Sequence, residues 1–138
     1  MSSDKLHFMR EFIQAVPFNC HLGMEVAEAH EDGATLCCTI RPELRNSHGV
    51  VHGGVVAALA DAAVGVSLSH RVSPRHATTI DLKVNYLKPV RAGKLWARCH
   101  LVRVGKTLVT GRVDLKGDDG HMMAIATATY MIVDGISP

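Results

Sequence analysis

Asp61 stands in the run Ala57-Ala-Leu-Ala-Asp61-Ala-Ala-Val64, a carboxylate among neighbours made only of carbon. Taking an ionised carboxylate out of water without a partner is costly, so one held in such a place is a candidate base or nucleophile. No other charge precedes Arg71 along this stretch to mark a solvent-facing side. Eight residues upstream, His52-Gly53-Gly54 opens the same stretch. Glycines there let another group approach the backbone, and the first N–H groups of a helix have no partner within it. They lie at the positive end of the helix dipole, a position suited to negative charge developing on a carbonyl oxygen. A base and an oxyanion donor together describe nucleophilic addition to a carbonyl.

At the rise of an α-helix the two groups are separated by about 12 Å along the axis. A reacting carbonyl has to lie about 3 Å from both the oxyanion donor and the attacking group. One chain does not easily do both jobs at one carbon. Two chains do, if their helices lie antiparallel with Asp61 of one facing Gly53 of the other. If both groups are catalytic, the site belongs to a homodimer interface.

Other polar residues are weaker candidates. Asn46 lies in the loop Arg41 to Gly54, where its amide can bond a water, a carbonyl or its own turn. Simple alternation puts Thr79 on one strand face with Asp81, Lys83 and Asn85, and Thr78 on the other with Ile80 and Leu82. His48 and His52 are four apart, but they precede the helix and lack the intervening Glu of a helical zinc motif, so no metal is expected. Ser67 and Ser69 fall near the helix end and no Ser stands in a G-x-S-x-G elbow.

The elements that must position these groups follow from periodicity. Asp4, with Ser2 or Ser3 as cap, opens a short helix over residues 1–16 carrying Leu6, Met9, Phe12 and Ile13 on one side, ended by Pro17. Strands follow at Met24 to His30 and Ala34 to Ile40, turned at Asp32-Gly33. Val55 to Arg71 is one helix, apolar nearly all round and closed by Ser73-Pro74, so most of its sides have to be covered. Four more strands are expected at Thr78 to Leu87, Lys94 to Val104, Thr107 to Leu115 and Met122 to Val133, with one face of each buried. The class is α+β, with a curved antiparallel sheet wrapped around one long helix, the hotdog architecture.

Composition narrows the function. At 138 residues the chain fits a single domain, 1–138, with one core. Fifteen Lys and Arg against thirteen Asp and Glu make no basic field, and one Trp, two Tyr and three Phe leave little to stack on bases, so nucleic acid is not an expected partner. No signal-peptide pattern opens the chain, and the apolar run Val55 to Leu68 is shorter than a membrane span and broken by Asp61 and Gly65. A soluble, cytoplasmic protein without membrane association is expected. Cys20, Cys37, Cys38 and Cys99 lack C-x-x-C spacing and read as reduced thiols, with one of the adjacent pair in the core.

The run Asn46-Ser-His-Gly-Val-Val-His52-Gly53-Gly54, followed by Leu59-Ala-Asp61-Ala, resembles the PaaI-like branch of hotdog-fold acyl-CoA thioesterases. Thr79-Ile-Asp-Leu-Lys-Val-Asn-Tyr-Leu-Lys-Pro89 and Gly105-Lys106-Thr107 look like that family's next strand and hairpin, and the similarity spans roughly Leu22 to Val133. The resemblance implies that the Gly53 N–H, helped by His52, polarises a thioester carbonyl. It implies that Asp61 of the partner subunit acts as general base or nucleophile, that Asn46 positions water or substrate, and that Thr79 holds the water. It further implies a homodimer at minimum and a homotetramer as the usual state, no cofactor, and an aryl- or fatty-acyl-CoA substrate. The CoA phosphates need basic partners, for which Lys88, Arg91, Lys94, Arg103 and Lys106 at the strand ends are candidates. Pocket shape is expected to depend on Phe12, Phe18, Leu22, Leu59 and Leu68. The competing readings are a hotdog hydratase or dehydratase acting through His52 and Asp61, and a non-catalytic acyl-CoA-binding protein.

Overall fold

The computed structural model describes residues 3–134. Helix α1, Ser3–Gln14, places Asp4 in its first turn against the helix dipole and buries Met9 and Ile13. Ser3 is its first residue, and Ser2, the alternative cap, lies outside the described residues. The first helix ends ahead of Pro17, as expected, but the proline has a second role. It starts a second helix, α2 (Pro17–Leu22), because proline's fixed φ and missing N–H suit the first helical position. Gly23, at φ 73°, closes α2 with a left-handed cap.

Strands β1 (Met24–His30) and β2 (Gly33–Thr39) are joined by a turn at Glu31-Asp32, one residue earlier than expected. A 3-10 turn at Pro42–Leu44 leads into the long helix α3, Gly53–Val72. Then come β3 (His76–Tyr86), β4 (Lys94–Val104), β5 (Leu108–Lys116) and β6 (Met122–Val133). They form one six-stranded sheet in the order β1-β2-β4-β5-β6-β3, antiparallel throughout. The sheet wraps α3, and the core is the layer between them: Leu59, Ala63 and Val64 against Leu36, Leu95, Cys99, Val113 and Leu115.

At 20 residues α3 is long and apolar enough to cross a membrane by length and composition, longer than the apolar run alone indicated. The sheet and α1 nevertheless bury most of it, as they would a core helix. One stripe stays open: Gly54, Ala57, Ala58, Asp61 and Ala62, spaced to share one helix face, are exposed or half-buried.

Two further expectations are corrected. Strand β3 carries a bulge between Thr79 and Asp81, so Ile80 has no partner on β6 and the alternation reverses beyond it. Thr79 pairs with Tyr130, Leu82 with Ala128 and Val84 with Ala126, which puts Thr79 on the helix-facing side with Leu82, Val84 and Tyr86. That side is not buried as expected, because β3 is an edge strand: Leu82 is 37% and Tyr86 55% exposed, and the unpaired Ile80 is 53% exposed as well. Of the adjacent cysteines one, Cys38, belongs to the core cluster as expected, while Cys37 is buried too but outside that cluster, paired with Trp96 across the ladder.

The β1–β2 turn is clasped to the rest of the molecule. Asp32 pairs with Arg98 at 2.7 Å and His100 at 2.9 Å, and Arg98 above all holds its carboxyl down at about 2. Lys5 from α1 and Arg71 from the end of α3 donate to the carbonyls of His30 and Glu31.

Candidate active site

Asp61 lies midway along α3 on the open stripe, and its carboxylate is held by two donors. Thr79, turned toward the helix by the bulge, donates its hydroxyl to Oδ1 at 2.8 Å. Tyr130 of β6 donates to the same Oδ1 at 2.7 Å, its hydroxyl also lying 2.8 Å from the Asp61 carbonyl oxygen. Burial first, and then the charge of Asp61, push the Tyr130 phenol well above its ordinary range, so it stays protonated as a donor. Among the described residues Oδ2 has no hydrogen-bond partner and is not a buried atom. The carboxylate is therefore fixed through one oxygen and open through the other.

Tyr130 was legible only as one apolar position of a strand, although a buried tyrosine hydroxyl needs a partner. Gly65 was the available signal. It sits four residues beyond Asp61 on the same face, where glycine costs an α-helix about 0.5–1 kcal/mol relative to alanine. A Cβ there would lie 2.8 Å from the Tyr130 hydroxyl, so the glycine makes room for that group. Gly65→Ala is expected to displace Tyr130 and lower kcat by roughly 10- to 100-fold, the scale of one hydrogen bond to a charged group. Steady-state kinetics beside a thermal melt checks this; unchanged kcat in the folded variant would remove Tyr130 from the site.

The second group of candidate residues is at the start of α3. His52 is the N-cap, with φ −63° and ψ 135°, and its Nδ1 accepts from the Gly54 N–H at 2.8 Å. Its ring proton is therefore on Nε2, and its Nδ1 serves its own helix. The Gly53 carbonyl accepts from the Tyr86 hydroxyl at 2.7 Å, with the Tyr86 ring so close that a Cβ on Gly53 would touch it at 3.4 Å. Among the described residues the Gly53 N–H has no partner, as expected of a first-turn donor. Asn46 uses its amide oxygen on its own loop, accepting from His48 N at 2.9 Å and Val50 N at 3.4 Å.

These groups lie in two separate cavities. Asp61, Thr79 and Tyr130 line a cavity of about 330 Å³ together with Phe12 and Phe18. Asn46 and Gly53 line another of about 340 Å³ with Tyr86 and Lys88. The two share no lining residue. A larger cavity of about 460 Å³, between α1, α2 and β1, is lined by Arg10, Gln14, Cys20 and Glu25 and contains none of these groups. Leu22 and Leu59, expected to shape the pocket, are buried in the core instead. Nor do the five basic candidates form one cluster. Lys88, Arg91 and Lys94 lie at one end of the sheet and Arg103 and Lys106 at the other, with about 30 Å of β4 between Lys94 and Arg103. Among the described residues no three His, Cys, Asp or Glu side chains converge as metal ligands would.

The fold is the hotdog scaffold, one long helix wrapped by a six-stranded antiparallel sheet. The chain belongs to the thioesterase superfamily, whose family profile matches residues 48–124, more than half its length, from the loop before α3 into β6. It is similar to the medium/long-chain acyl-CoA thioesterase YigI of Escherichia coli and Salmonella typhimurium, at 33% identity with 88% of each chain covered. Among solved structures it is similar to a variant of the phenylacetic acid degradation protein PaaI from Thermus thermophilus, at 28% identity and TM-score 0.78, covering 86% of this chain and 100% of that one. A thioesterase from Haemophilus influenzae shares the fold at TM-score 0.87 and 22% identity, covering 96% and 92% of the two chains. Thioester hydrolysis is thus the reaction class of this protein.

Proposed function

We propose that the protein hydrolyses acyl-CoA thioesters in the cytoplasm, at a site shared by two copies of the chain. The observation that carries this reading is the separation of Asp61 from Gly53 on one helix, each in its own cavity. A dyad near Ala57 and Ala58 brings Asp61 against Gly53 of the partner subunit. The open stripe of small side chains permits that approach, and β3 offers an exposed edge with apolar side chains for the same association.

At the shared site the Gly53 N–H of the partner subunit receives the thioester oxygen, and Asn46 lies in the same cavity as a positioning group. Oδ2 of Asp61 takes the proton of an attacking water or attacks the carbonyl carbon itself; both routes use the oxygen that Thr79 and Tyr130 leave open. Collapse of the tetrahedral adduct expels the CoA thiolate, which as a good leaving group needs little acid assistance. His52 holds the helix start in place by its cap and contributes an Nε2–H donor. Lys88 beside the Gly53 cavity, with Arg91 and Lys94 near it, meets CoA phosphates, while Arg103 and Lys106 lie at the far end of β4. No redox or metal cofactor enters this route. Two dimers associate into a tetramer, measurable by light scattering.

The test is thiol release from a panel of acyl-CoAs by the purified protein. Hydrolysis of at least one acyl-CoA is expected with a kcat/KM well above that for non-thioester esters. Hydration of enoyl-CoA without thiol release would replace this reading by the hydratase one.

A further inference from the structure

Thr79 and Tyr86 are seven residues apart on β3, an odd spacing that in a regular strand sends two side chains to opposite faces. The bulge at Ile80 inserts one residue and brings both to the face of α3. One strand therefore touches the helix at both groups of candidate residues, with Thr79 at Asp61 and Tyr86 at Gly53. The first contact holds the carboxylate. The second holds a peptide unit, and its effect passes through that unit.

The Tyr86 hydroxyl donates to the Gly53 carbonyl at 2.7 Å. That carbonyl shares its peptide unit with the Gly54 N–H, which donates to His52 Nδ1 at 2.8 Å. Amide resonance couples the two ends, so a donor on the oxygen draws density from the nitrogen and strengthens its N–H as a donor. The imidazole responds in turn: density drawn from Nδ1 strengthens the Nε2–H on its far side. Nε2 has no partner among the described residues. Gly54 lets the ring lie against the first turn, since a Cβ there would meet Nδ1 at 2.9 Å and Cε1, the atom between the two nitrogens, at 3.2 Å. The Gly53 N–H is backed in the same way, through the His52 carbonyl, which accepts from Val55 N at 2.9 Å.

We propose that Tyr86 is a positioning residue for the reaction: through the Gly53–Gly54 peptide it orients and strengthens His52 Nε2–H as a second donor to the thioester oxygen, beside the Gly53 N–H. The proposal rests on the thioesterase reading above. Neither end of the Tyr86 bond needs it for satisfaction. At 55% exposure the tyrosine has water within reach, and the Gly53 carbonyl has the N–H four residues along its own helix. What the bond adds is a fixed, polarised donor in place before charge develops on the carbonyl oxygen, which is the form of donor that lowers a barrier.

Tyr86→Phe keeps the ring against Gly53 and removes one hydroxyl. It is expected to lower kcat roughly three- to tenfold, the scale of one neutral hydrogen bond, with KM unchanged, because the oxygen becomes charged only on the way to the transition state. The loss is expected to run through His52. In His52→Ser, where serine keeps a helix cap and the imidazole is gone, adding Tyr86→Phe is expected to leave kcat within about 1.5-fold. A tyrosine with a merely structural role would move KM or Tm and would cost the same in both backgrounds. The coupling is also read on the resting protein: the Gly54 amide proton is expected to shift upfield in Tyr86→Phe as its bond to Nδ1 weakens. If kcat is unchanged, if the loss is equal with and without His52, or if the Gly54 proton stays in place, Tyr86 has no such role even where acyl-CoA is hydrolysed. If the Gly54 proton moves but the wild type releases no thiol, the coupling of Tyr86 to His52 stands and the hydrolytic reading falls.

Discussion

Asp61→Asn is expected to lower kcat by roughly 10²- to 10⁴-fold, the contribution of a positioned base, while Tm moves by no more than a few degrees. The substitution keeps shape and keeps an oxygen to accept from Thr79 at 2.8 Å and Tyr130 at 2.7 Å, so the hydrogen bonds that hold the side chain have a way to persist. What is lost is the second carboxylate oxygen, replaced by an NH2 that neither accepts a proton nor attacks a carbonyl. Because Asp61 is half-buried on an open stripe, neutralising it leaves no orphaned charge in the core. Activity and folding are thus separable here. Thiol release at saturating substrate, with a thermal melt on the same sample, is the measurement. Turnover within a few-fold of wild type in a folded variant would assign the base elsewhere.

That this residue could be picked out beforehand, while its two donors could not both be, has a physical reason. Asp61 is conspicuous locally: periodicity makes its surroundings apolar, and one carboxylate breaks the pattern. Helix α3 and the six strands are legible for the same reason, each carrying its own period over many residues. The contacts of Asp61 are not local. Tyr130 is 69 residues away, and its placement depends on which strand ends up beside which. Thr79 was visible as a hydroxyl at a strand start, but alternation assigned it the wrong face, because one unpaired residue, Ile80, reverses the period. Nothing in the types Thr79-Ile80-Asp81 announces an inserted residue. The exposure of Leu82 and Tyr86 was hidden likewise: an apolar alternation says that a face is covered without saying whether its own chain covers it. That the basic residues do not form one cluster was hidden for a simpler reason, since closeness to strand ends in sequence does not say which end of the sheet.

The proposed sharing of the site between two chains predicts a second large effect. Gly53→Pro removes the N–H proposed to bind the oxyanion, and the helix is built to accept it. Proline is favoured at the first helical position, and His52 before it already has the extended conformation, φ −63° and ψ 135°, that a residue preceding proline adopts. The added Cβ meets the Tyr86 ring at 3.4 Å, an ordinary contact. Loss of one such donor lowers kcat by roughly 10²- to 10³-fold. Each of the two variants alone is thus nearly inactive. In a mixed dimer of one Asp61→Asn chain and one Gly53→Pro chain, one site carries both defects. The other combines the intact Asp61 of the proline chain with the intact Gly53 of the asparagine chain. If the base and the oxyanion donor come from different chains, isolated mixed dimers recover about half the wild-type turnover. If both come from one chain, every site in the mixture carries a defect and no activity returns. Unfolding the two variants together and refolding them, with differently tagged chains to isolate the mixed species, makes the measurement. The outcome is nearly all-or-none because the two half-sites are about 12 Å apart on one rigid helix. No side-chain rearrangement within a protomer bridges that distance, so recovery in the mixed dimer has to come across the interface.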